Sequence, residues 1–131
     1  MLTIKIEENP TEIIRELGID CGANASVMTM RDGESLMGAG VFKIGDGYAE
    51  ILDIRMKSGF EDFSLEYGIA KALLNSVDLK GIHHAVCNNE AISKLLCALR
   101  FENSHTSAKA PEELKHHAFY LNLTGYFDAN C

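Results

Sequence analysis

The sequence predicts an α+β fold: one mixed, mainly antiparallel sheet flanked by helices, in the order β-α-β-β-β-α-β-α-β-β. Three observations predict it. Apolar and polar residues alternate at the start of the chain, with Leu2, Ile4 and Ile6 against Thr3, Lys5 and Glu7. Two Asp-Gly pairs, Asp32-Gly33 and Asp46-Gly47, separate three strand-like runs, as tight hairpin turns do. Two stretches of helical periodicity then flank a short apolar run, Ile82–Cys87.

The first alternation reads as a half-buried strand. Asn9-Pro10-Thr11-Glu12 opens a helix: Asn9 can cap it, Pro10 suits its first turn, and Glu12 completes a capping-box-like pattern. Ile13, Ile14 and Leu17 are its apolar side, and Gly18 stops it. Runs 26–31, 36–44 and 48–57 then form an antiparallel meander. Simple alternation puts Tyr48, Glu50, Leu52, Ile54 and Met56 on one face of the third strand. Ala49, Ile51, Asp53, Arg55 and Lys57 fall on the other. Residues 58–64 read as a loop. A helix is expected from Leu65 to Val77, with Leu65, Ile69, Ala72, Leu73 and Ser76 at helical spacing. After strand 82–87, Asn88-Asn89 caps a second helix with the stripe Ile92, Leu95, Leu96 and Leu99. Phe101 begins another strand, 104–114 is a polar loop with room for a turn of helix after Pro111, and a last strand runs from Phe119 to Phe127. The strand–helix–strand unit from Tyr48 to Cys87 should be a right-handed parallel crossover.

A chain of 131 residues is expected to be one domain, residues 1–131, burying roughly two-thirds of its unfolded surface. Hydrophobic residues are 47% and charged residues 24%, which excludes disorder. The net charge of −7 argues against nucleic acid and anionic membranes, which need a cationic surface. No signal peptide or membrane span is read, so a cytoplasmic location is expected. Cys21, Cys87, Cys97 and Cys131 form no CxxC pair and read as free thiols. Two histidine pairs, His83-His84 and His116-His117, lack metal-ligand spacing, and no metal is expected.

Two segments carry a resemblance. Leu65-Glu66-Tyr67-Gly68-Ile69-Ala70, followed by Lys71-Ala72-Leu73-Leu74, resembles the R/Q-x-x-G-x-G/A phosphate-binding signature of the GNAT superfamily of N-acyltransferases. Leu65 stands where that family prefers Arg or Gln. Asn89 through Leu95, Leu99 and Phe101 matches the spacing of the family's N-x-x-A-x-x-L-Y-x-x-L-G-F. There Leu96 replaces the tyrosine acid and Arg100 the glycine. The resemblance implies acetyl-CoA as co-substrate, direct attack by a primary amine on the thioester, and no metal. It implies that Leu65, Tyr67, Gly68, Ile69, Ala70 and Lys71 border the pyrophosphate. Backbone amides around Ile54–Met56 would polarise the thioester carbonyl, and Asn89 would lie near the pantetheine arm.

Glu50 is the candidate base. In register with Tyr48, Leu52 and Ile54, it would enter an apolar environment that raises its pKa. Glu61, Asp62 and Glu66 favour the helix dipole but repel a pyrophosphate, with Arg55, Lys57 and Lys71 as the nearest compensators. Tyr67, Tyr120 and Tyr126 are substitutes for the missing acid, and Cys87 ends the strand beside the expected cleft. Two alternatives stand beside an acetyltransferase. One is an inactive GNAT-fold module that binds an acyl-CoA or regulates. The other is an interaction domain that forms a homodimer through its last strands, Phe119–Phe127.

Overall fold

The computed structural model describes residues 1–22 and 24–127; the thiol expected at Cys131 lies outside them. The expected order of elements is present: β1 (Leu2–Ile6), α1 (Pro10–Leu17), β2 (Ser26–Asp32), β3 (Ser35–Ile44), β4 (Ala49–Met56), α2 (Phe63–Leu79), β5 (His84–Cys87), α3 (Ser93–Ala98), β6 (Glu102–Asn103) and β7 (Phe119–Asn122). The seven strands form one sheet in the order β1-β2-β3-β4-β5-β7-β6. Both Asp-Gly pairs make the expected hairpins, and β4–β5 is the parallel pair, joined through α2.

Helices α2 and α3 cover one face. Ile69, Leu73, Leu74 and Val77 of α2, Leu95 and Leu96 of α3 and Leu99 at its C-terminal end meet Ile51, Ile54, Ala85 and Cys87 in the main core. The other face is covered twice. Helix α1 packs Ile13 and Leu17 on Val27, Ala39 and Val41. The loop before β7 packs Ala110 and Leu114 on Val86 and Tyr120.

Four expectations are corrected. Strand β1 is an open edge rather than half-buried, with Leu2 52% and Ile6 44% exposed. Asn9 makes no capping bond through its side chain, although Gly18 does end α1 in the left-handed conformation. The last strand stops at Asn122, because Leu123–Phe127 turns away over α2. Both its flanks are engaged, by β5 and by the two-residue β6, so it offers little free edge for a dimer.

The fourth correction is a β-bulge. Val41 pairs with Asp53 and Phe42 with Ile51, which leaves Leu52 as an extra residue in β4. One extra residue reverses the alternation. Ile54 and Met56 therefore share the α2 face with Ala49 and Ile51, while Leu52 packs with the α1 cluster. Glu50 does not share a face with Ile54.

Arg100 follows α3 with φ +75°. The amide of Phe101 donates to the Leu96 carbonyl and that of Arg100 to the Cys97 carbonyl, a left-handed helix stop. Glycine adopts that conformation without the Cβ penalty of roughly 1–2 kcal/mol. Arg100→Gly should therefore stabilise the fold by about 1 kcal/mol in urea denaturation; a loss of stability would contradict this account of the turn.

Candidate active site at the fork between β4 and β5

The parallel pairing of β4 with β5 runs from Ala49↔Ala85 to Ile51↔Cys87 and ends at the Leu52 bulge. Beyond it, among the described residues, β4 continues to Met56 with only β3 beside it. The Lys57 amide donates to the Met37 carbonyl of β3 at 2.7 Å. Antiparallel bonding repeats every second residue, so the amides of Arg55 and Asp53 also face β3. Those of Met56 and Ile54 face the open side, where no strand pairs with them. The two residues expected to polarise a carbonyl thus present their amides to the fork.

Asn89 spans the fork. Its Nδ2 donates to the Leu52 carbonyl at 3.0 Å and to Asp53 Oδ1 at 3.3 Å. Its Oδ1 accepts from the Ala91 amide at 3.0 Å, the capping role expected of it. Asp53 is buried and holds Arg55 at 2.9 Å. Arg55 also donates to the carbonyls of Leu17 and Gly18, at 2.9 and 3.0 Å. Lys57 pairs with Glu16 at 3.0 Å. Two of the three cations expected near a pyrophosphate are therefore engaged by α1 and its C-terminal end. Lys71 lies against the rings of Tyr126 at 4.5 Å, Phe127 at 5.4 Å and Tyr67 at 5.7 Å. Lys94, which the motifs do not single out, lies 5.5 Å from the ring of Phe63 at the first turn of α2.

That first turn begins two residues earlier than the helical spacing implies. Asp62 caps it, accepting from the amides of Ser64 and Leu65 at 2.8 and 3.2 Å. An Asp cap is favoured because it satisfies donors that have no helical partner. Gly68 and Ala70 then lie inside the helix, where amides bond to carbonyls four residues back. Their amides are not free, and the expected phosphate cradle at these two positions is not formed. Ile69 and Ala70 are wholly buried packing residues, and Leu65 and Tyr67 lie against the main core. Burial raises the Glu66 carboxyl pKa, and the nearby charges of Asp62 and Asp53 raise it further.

A methyl added at Gly68 would meet nothing closer than Met30 Cε at 3.7 Å, an ordinary contact. Gly68→Ala should therefore stabilise the protein by about 1 kcal/mol, the usual mid-helix difference. It should leave CoA affinity unchanged. A large loss of affinity would mean that the helix start rearranges to use this residue.

Glu50 lies on the opposite face from α2. Asn88 Nδ2 approaches Glu50 Oε2 at 3.4 Å and His117 Nδ1 at 2.8 Å. Asn88 Oδ1 accepts from the Ala118 amide at 2.8 Å, which fixes the orientation of the side-chain amide. His117 Nδ1 is then an acceptor, and its proton sits on Nε2, a buried atom without a partner. Burial lowers the His117 pKa, as does the neighbouring His116 ring at 4.0 Å, while Glu50 opposes this. Sequence reasoning missed Asn88 and His117 as neighbours of Glu50. The His116-His117 pair was visible, but nothing local places a polar loop over a sheet.

Unfolded His117 takes a proton near its ordinary value of about 6.5, and the folded state takes it only at lower pH. The unfolded state then binds more protons in that range, so stability is lost as pH falls from about 7 towards 5. His117→Gln should flatten that slope in melting temperature between pH 5 and 7.5; an unaltered slope would refute it.

Burial pushes the Cys87 thiol up to about 11, so it stays neutral and inert. Leu96 is wholly buried. The hydroxyl of Tyr120 is bonded to His84 Nδ1 at 2.7 Å, and that of Tyr126 donates to the Leu99 carbonyl at 3.0 Å. Neither is free to replace a tyrosine acid. Among the described residues no group of three or more His, Cys, Asp or Glu could hold a metal ion, and no helix is long and apolar enough to cross a membrane.

A mainly antiparallel seven-strand sheet that forks after its one parallel pair is the architecture of the GNAT acetyltransferases, and this chain has that fold. A Bacillus subtilis acetyltransferase solved in complex with CoA is similar over 94% of this chain and 99% of its own, at 14% identity and TM-score 0.67. A GNAT family acetyltransferase from Elizabethkingia anophelis with acetyl-CoA bound matches over 93% and 98%, at 14% identity and TM-score 0.64. The PaiA N-acetyltransferase from Thermoplasma acidophilum, in complex with coenzyme A, matches over 92% and 99%, at 13% identity and TM-score 0.62. No family model and no curated protein matches the sequence.

Proposed function

We propose that this protein is an N-acetyltransferase that binds acetyl-CoA in the fork and passes the acetyl group to a primary amine. The observation that carries the reading is the pair of amides of Ile54 and Met56 that face away from β3, just beyond the bulge whose Leu52 carbonyl Asn89 holds. Directed at a thioester carbonyl, they would stabilise the negative charge that develops when the amine attacks. Glu50, on the face opposite α2 and 3.4 Å from Asn88, would take the proton of the incoming ammonium, directly or through a water. The carbonyl carbon gains a C–N bond and loses the C–S bond, and the nitrogen gives up its second proton to water. The leaving thiolate draws its proton from the Glu50 carboxyl or from water, since Leu96 has none to give.

A second reading is a module of the same fold that binds an acyl-CoA without turning it over. The Asp62 cap and the buried Leu96 favour it. Calorimetry with acetyl-CoA, followed by mass spectrometry of a panel of amines, separates the two. Saturable binding with acetylated product supports the transferase. Binding without product supports the module. No saturable binding at millimolar acetyl-CoA sinks both.

A further inference from the structure

A cleft of about 570 Å³ lies on the sheet face opposite α2, between the β3–β4 turn, the segment entering β5 and the loop before β7. Its walls include Asp46, Tyr48, His83, His84, Glu113 and Leu114, and no lysine or arginine lines it. Among the described residues neither Asp46 nor Glu113 forms an ion pair; Lys115, close by, pairs with Glu112 instead. Asp46 and Glu113 come from separate elements and line one cavity. The Tyr48 ring is held in place, packed on the bare backbone of Gly45 and 5.8 Å from the His117 ring. His84 is fixed by the Tyr120 hydroxyl. The cleft thus offers two uncompensated negative charges, a fixed aromatic ring and the aliphatic wall of Leu114 and Pro111.

That combination suits a flexible aliphatic chain carrying more than one ammonium group. Carboxylates take the ammonium groups through charge-assisted hydrogen bonds. The ring adds cation–π attraction, and the apolar wall takes the methylenes. Tyr48 and Glu50 are neighbours on this face, about 7 Å apart along the strand. An amine chain seated in the cleft therefore extends towards the mouth of the fork.

We propose that this cleft binds an aliphatic polyamine and that it seats the distal ammonium group of the acceptor. The acceptor role rests on the transferase reading above; the binding site itself does not. Calorimetry with spermidine and with butylamine, without acetyl-CoA, tests the site at 20 mM and 150 mM NaCl (about 20 and 8 Å of screening length). Spermidine should bind with saturation, more weakly at high salt, and at least tenfold tighter than butylamine. Asp46→Asn and Glu113→Gln should each raise its Kd about five- to tenfold. Glu112→Gln, which removes a charge already paired with Lys115, should leave it unchanged. No saturable spermidine binding, or an equal effect of all three substitutions, overturns the site. With acetyl-CoA added, acetylated spermidine whose KM rises in Asp46→Asn while kcat holds supports the acceptor role. Spermidine binding that depends on the cleft, with no amine acetylated, overturns the acceptor role and the transferase reading together and leaves the binding site standing.

Discussion

Gly38→Val is expected to cost about 3 kcal/mol of stability, read as a lower urea midpoint, and to weaken any ligand held by the fork. Gly38 of β3 lies opposite Met56. A Cβ there would fall 2.8 Å from the Arg55 carbonyl oxygen and 3.0 Å from Met56 Cα, both backbone atoms that cannot turn aside. The strands would have to part at the segment of β4 that carries the open amides. Overpacking of this kind costs typically about 1–3 kcal/mol, and a backbone clash belongs at the upper end. Gly40 provides the contrast. Its Cβ would meet Ile54 Cδ1 and Leu73 Cδ1 at 2.9 Å, which are side-chain tips. Gly40→Ala should cost less, about 1 kcal/mol. If the order of the two effects is reversed, the close approach of β3 to β4 is not what requires glycine at position 38.

The second large effect is electrostatic. Glu61, Asp62 and Glu66 surround the start of α2, and two of the cations that could offset them are paired elsewhere: Arg55 with Asp53, Lys57 with Glu16. Replacing all three acids, as Glu61→Gln, Asp62→Asn and Glu66→Gln together, should tighten CoA binding about tenfold at low salt. At roughly 6–8 Å, a carboxylate and a pyrophosphate repel by about 1 kcal/mol in a water-like medium before screening. Asn caps a helix about as well as Asp, so α2 should keep its start. The gain should shrink at 0.5 M NaCl, where exposed charges are screened. Unchanged affinity in calorimetry would place the phosphates away from this helix start.

The fold was largely legible because its signals are local. Period-two alternation, two Asp-Gly turns and two helical stripes follow from backbone geometry within a few residues. They give every element and the parallel crossover. The same local reading also holds the cap that places the start of α2. Asp62 is a favoured N-cap, whereas helical spacing of the apolar residues begins the helix only at Leu65. The turn between them carries no apolar stripe, and the helix starts at its cap.

The site was legible in part. Asn89 binds the Leu52 carbonyl where β4 leaves β5, and Ile54 and Met56 follow in the segment beyond. Glu50 meets Asn88 and His117, residues 38 and 67 positions further along the chain, which no local pattern brings together. By itself the sequence determined the elements, their order and an acidic surface of net charge −7. Only the tertiary structure decided which face of β4 Glu50 occupies, where β4 and β5 part, and that Asp46 and Glu113 share a cleft. The reason is the unpaired residue Leu52. A bulge is fixed by the pairing of two strands, so alternation along one strand carries no sign of it, yet it reverses every side chain beyond it.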